Sequence, residues 1–122
     1  MRGLIITLVL FTILIFAITL NAVFIKNSIL YMKQMAEQLS PIPCDENETI
    51  ITEFKNKWDK INMFISLAVN YDNIEELTDR IDAVKAANLT NNQEQLQIQI
   101  ELLINSIEEI GRLEEFSIKN IL

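Results

Sequence analysis

The side chains best able to do chemistry in this 122-residue chain are carboxylates. Asp72, Glu75, Glu76, Asp79 and Asp82 recur at helical spacing, so they can line one face of a helix and offer oxygen ligands to a hard cation such as calcium. Calcium, however, needs several oxygens converging at about 2.3–2.6 Å, and a straight helix spreads its carboxylates along a ridge. With Arg80 and Lys85 interleaved, the favoured reading is a solvated acidic face. Paired carboxylates for hydrolysis need a cleft, which a helical hairpin does not obviously provide. The single cysteine, Cys44, allows no internal disulfide. It could cross-link two copies in an oxidising compartment, but reads first as an incidental loop thiol. The chain has no histidine, so zinc, haem and thiol–imidazole sites lose their usual ligands, and its two glycines cannot build a phosphate loop. The expectation is a protein with no catalytic, cofactor or metal site, and no enzyme.

The element that positions everything else is the apolar run Gly3 to Ile25, which holds no charge and no proline. As a helix it measures about 34 Å, enough to cross a hydrocarbon core of about 30 Å with some tilt. A cleaved secretory signal is the competing reading. The run is too long for one, and its best cleavage site, Leu20-Asn21-Ala22, has leucine where a small residue is wanted. The expected state is an uncleaved single-pass signal anchor in the cell membrane. Arg2 before the run and Lys26 and Lys33 after it do not settle orientation by count. All seventeen acids and all but one of the ten bases follow the run, and a domain of that charge gains nothing from an anionic inner leaflet. The C-terminal domain is therefore expected on the extracytoplasmic side. The net charge of −7 also speaks against nucleic acid as a partner.

Beyond the span, Ile25, Ile29, Met32, Ala36 and Leu39 recur at steps of four and three, predicting that the helix continues as an amphipathic stalk to Ser40-Pro41. Phe24 and Tyr31 lie near the interface, where aromatic rings are commonly found. Residues 40–48, SPIPCDENE, form a linker in which Asp45 and Glu48 make an approximate capping box. Ile51, Phe54, Trp58, Ile61, Ile65 and Ala68 then give a helical seam whose phase shifts from Tyr71 onward. Either the helix breaks near Asn70-Tyr71-Asp72-Asn73 or it runs on with its seam rotated; with no proline or glycine there, one long, bent helix to about Ala87 is the expectation. Asn88 to Asn92 is the turn, and Thr90 with Gln93 is expected to cap the last helix. There Leu96, Ile100, Leu103, Ile107 and Ile110 step by four and three, and Ile98, Leu102 and Ile104 widen the stripe. So wide a stripe calls for a third neighbour, either the stalk or a partner chain. In the anchor, Thr12 and Thr19 are expected to bond their own helix rather than a second one.

The fold expected is all-α: anchor and stalk over residues 1–39, linker 40–48, and a long antiparallel helical hairpin over 49–122. Trp58, the Tyr71-Asp72-Asn73-Ile74-Glu75 segment, the polar turn and the terminal Glu115-Phe116-Ser117-Ile118-Lys119-Asn120-Ile121 resemble an uncharacterised family of short, single-anchor proteins from spore-forming Gram-positive bacteria, known only as a domain of unknown function. The resemblance implies a location and no catalytic site. The preferred function is an interaction or structural protein that docks on another membrane protein or self-associates. The alternative is an extracytoplasmic ligand-sensing module, against which counts that only Met1 and Arg2 precede the span.

Overall fold

A computed structural model of the chain describes residues 1–65 and 71–121, without the side chains of 117, 118, 120 and 121. Among the described residues four α-helices follow one another: α1 (Arg2–Glu37), α2 (Asp45–Ile61), α3 (Tyr71–Leu89) and α4 (Gln93–Ile121). Among the described residues there is no strand.

α1 is one unbroken helix of 36 residues that does two jobs in succession. Its first part is long and apolar enough to cross a membrane, and none of that window is buried. Thr7, Thr12 and Thr19 satisfy their hydroxyls on their own helix, donating to the carbonyls of Gly3, Leu8 and Ile15 at 2.8–2.9 Å. From Ile25 onward the helix turns amphipathic and packs against both α2 and α4. α2 packs on α3 and α3 on α4, so the helices close into an up-down-up-down four-helix bundle. Ile25, Met32, Phe54, Trp58, Leu103 and Ile107 lie in its core, all at most 2% exposed.

The stalk is thus a structural member of the bundle. It covers the apolar stripe on α4, and of the two neighbours considered for that stripe the chain itself supplies one. Leu96, Ile100, Leu103, Ile107 and Ile110 are all buried.

The long, bent helix expected between Ile51 and Ala87 is not formed. α2 ends at Ile61, a single 3₁₀ turn follows over Asn62–Phe64, and Ile65 is extended at ψ 138°. The phase shift at Tyr71 therefore marks a new helix running the opposite way with its own stripe. Ala68 and Asn70 lie outside the described residues, as do Leu122 and the side chains of Ile118 and Ile121.

Both expected capping boxes are replaced. Cys44 holds the N-cap position of α2 without a side-chain hydrogen bond, and Asp45 is the first helical residue, where its charge favours the helix dipole. At α4 the cap is Asn92, whose Oδ1 accepts the Gln95 N–H at 3.2 Å. Thr90 instead closes α3, its hydroxyl donating to the Ala86 carbonyl at 2.8 Å. Asn91 adopts φ 53°, a left-handed conformation that asparagine tolerates well. Asn92 N–H to Ala87 C=O (3.0 Å) and Asn91 N–H to Asn88 C=O (3.3 Å) complete a Schellman ending.

Candidate interaction surface

The residues singled out for chemistry are not brought together. Asp72, Glu75, Glu76, Asp79 and Asp82 run along α3, all exposed. Two of them are tied to cations, Glu76 to Arg80 at 3.7 Å and Asp82 to Lys55 at 3.5 Å. Among the described residues no three metal-ligating side chains converge. Cys44 is a half-buried free thiol whose backbone, rather than its sulfur, is held.

What holds it is a pair of buried asparagines at the end of the bundle far from the apolar part of α1. Asn88 Oδ1 accepts from the Cys44 N–H and from Asn47 Nδ2, both at 3.1 Å, while Asn88 Nδ2 donates to the Cys44 carbonyl at 3.0 Å. Asn47 Oδ1 accepts the Ser40 N–H and its Nδ2 donates to the Ser40 carbonyl, both at 2.9 Å. The 40–44 connection carries backbone groups that no helix satisfies, and these two side chains satisfy them. Sequence reasoning placed Asn88 in the turn and gave Asn47 no role. The available signal was that each sits in register with the apolar stripe of its own helix, Asn47 four residues before Ile51 and Asn88 four after Val84.

A concavity with a largely apolar lining lies at the other end, between α1 and α4. It is a groove of about 320 Å³ whose apolar lining comes from Ala22, Ile25, Ile29, Leu30, Ile107 and Gly111. Gly111 keeps it open, since a Cβ there would lie 3.4 Å from Ile29 Cγ2 and larger side chains would enter the groove. Lys26, Lys33 and Arg112 face Glu108, Glu114 and Glu115 around it, so opposite charges balance along its length. Lys33 pairs with Glu108 at 3.1 Å, and Glu114 is buried at 4% exposure. Arg112 Nη2 donates to Glu109 at 2.6 Å, and that hydrogen bond, followed by the carboxylate charge, holds the guanidinium above its ordinary pKa. Such a surface can take an apolar segment flanked by mixed charges; it carries no nucleophile with an adjacent base.

A family model described as "Domain of unknown function (DUF4363)" matches residues 24–121. The chain belongs to the DUF4363 family. The match begins where α1 enters the bundle, so the DUF4363 domain corresponds to the four-helix bundle, including the second half of α1. Comparison with curated proteins and with solved structures finds no match.

Proposed function

We propose that this DUF4363 protein is a non-enzymatic interaction protein of a spore-forming Gram-positive bacterium. In this reading one span, Gly3 to Ile25, holds it in the cell membrane with the bundle on the extracytoplasmic side. There it docks on another membrane protein or on a second copy of itself. The observation that carries the reading is α1, whose first part leaves Leu4 through Phe16 exposed while its second part builds the core. Apolar surface of that extent is not left in water by a soluble protein. The groove beside α1 supports docking, because it starts at Ala22 and lies where a neighbouring helix leaving the same bilayer would run.

Three measurements test this. Carbonate washing should leave the intact chain in the membrane pellet, and its release would remove the anchor. A photocrosslinker at Leu30, on the groove edge, should trap one defined membrane protein or a dimer in native membranes. A strictly monomeric product would remove the docking role. Protease added to whole cells should cleave the bundle if it faces outward.

A further inference from the structure

The helices are locked in a register that can be followed residue by residue. Ile29 meets Gly111 and Lys33 pairs with Glu108, so five residues further down, Phe24 of α1 lies level with Phe116 of α4. The Phe24 ring packs edge-on against Phe64, at the end of the 3₁₀ turn after α2, with centroids 6.1 Å apart. Trp58 bonds Thr78 and Lys55 pairs with Asp82, a spacing that carried down puts Tyr71, the first residue of α3, level with Phe64. Each helix or its end thus delivers one aromatic ring to the same level of the bundle. All four are exposed, at 46% for Phe24, 49% for Phe64, 74% for Tyr71 and 63% for Phe116. Phe54 and Trp58, higher up, are buried.

That level coincides with a physical boundary. Phe24 lies about 32 Å along the helix from Gly3, just past a hydrocarbon core of about 30 Å. We infer that Phe24, Phe64, Tyr71 and Phe116 form an aromatic girdle set in the interfacial layer of the bilayer that α1 crosses, so that the bundle stands on the lipid rather than above it. The inference rests on the proposed single-pass anchoring. Its occupant is phospholipid because the rings come from all four helices around the circumference. A protein partner covers one side, whereas lipid touches every side; the amphipathic Tyr71 ring favours the headgroup level, and the three phenylalanines add apolar area that lipid can cover. Charges of both signs lie near that level. Lys57 lies 5.6 Å from the Phe24 ring and 5.8 Å from that of Tyr31, and Lys26 sits within a turn of Phe24, while Asp72 follows Tyr71 in the first turn of α3 and Glu114 and Glu115 precede Phe116. Long lysine stems let the ammonium groups turn towards headgroup phosphates while the rings stay in apolar surroundings.

The test uses the intact chain carrying Cys44→Ser, reconstituted in phosphatidylglycerol–phosphatidylethanolamine vesicles, with single nitroxide labels at Phe64→Cys, Tyr71→Cys or Phe116→Cys. Labels at Leu10→Cys and Leu89→Cys serve as references within the span and at the far end. Collisional access should shift towards oxygen and away from a water-soluble nickel chelate at 64, 71 and 116, relative to 89. Water-like access at these three with lipid-like access at 10 would overturn the girdle and leave the anchor standing. Water-like access at 10 as well would overturn both. Immobilised labels shielded from both relaxants would show the base covered by protein and also overturn the girdle.

Discussion

The pair of buried asparagines makes a quantitative prediction. Asn88→Ala removes two bonds accepted by Oδ1, from Cys44 N–H and Asn47 Nδ2, and one donated to the Cys44 carbonyl. Three such bonds contribute about 0.5–1.5 kcal/mol each, and an abandoned partner kept from water costs about 1–3 kcal/mol. Cys44 is half-buried, so water can reach its backbone and offset part of that cost. Asn47 retains its two bonds to Ser40. The expected loss is therefore about 2–3 kcal/mol, or about 10–20 °C in Tm for a domain of this size. The assay is urea unfolding of the full chain in detergent micelles, followed by fluorescence of Trp58, which is fully buried in the bundle. The midpoint should fall with the slope unchanged, since the surface exposed on unfolding is the same. Asn47→Ala should be non-additive with Asn88→Ala, with a coupling of about 1 kcal/mol, because the two share Asn88 Oδ1. A variant within 0.5 kcal/mol of the parent, or strict additivity, would refute the clamp.

Three further outcomes are expected from the same unfolding assay. Leu103→Ala, at a site 2% exposed, should cost about 2–5 kcal/mol through lost burial and a residual cavity. Gly111→Ala should stabilise by about 0.5–1 kcal/mol, because alanine is the better helix former and its Cβ meets Ile29 at ordinary contact distance. A loss instead would mean that α1 and α4 approach more closely than the structure has them. Lys33→Ala should cost less than about 1 kcal/mol and still less in high salt, since both partners of the Lys33–Glu108 pair are over a third exposed.

Much of the fold is legible in the sequence because apolar spacing is a direct statement about which side of a helix is dry. The continuation of α1 beyond Ile25, its end before Ser40-Pro41, and the α4 stripe from Leu96 to Ile110 all follow from that spacing. The break after Ile61 is not signalled by proline or glycine, since Asn62, Met63 and Phe64 can all enter a 3₁₀ turn. Only the change of phase at Tyr71 betrays it, and a rotated seam and a reversed helix produce the same change. The caps went to Cys44 and Asn92 instead of Asp45 and Thr90 because several residues in each segment can cap and only the path of the chain selects one. The groove and the ring of aromatics were not legible, because both are set by the antiparallel register between helices distant in sequence. Phe24 and Phe116 become neighbours in height only once Ile29 is set against Gly111.

Because α1 runs from Arg2 to Glu37 without proline, kink or loop, nothing between the apolar part and the bundle can act as a hinge. Motion of one is inherited by the other. With the apolar part set in a bilayer as proposed, a tilt of about 20°, the average for transmembrane helices, is passed to the bundle. Along the roughly 28 Å height of α3 that angle displaces the Asn47–Asn88 end sideways by about 10 Å relative to an upright helix. The position of that end is therefore tied to the angle at which α1 stands.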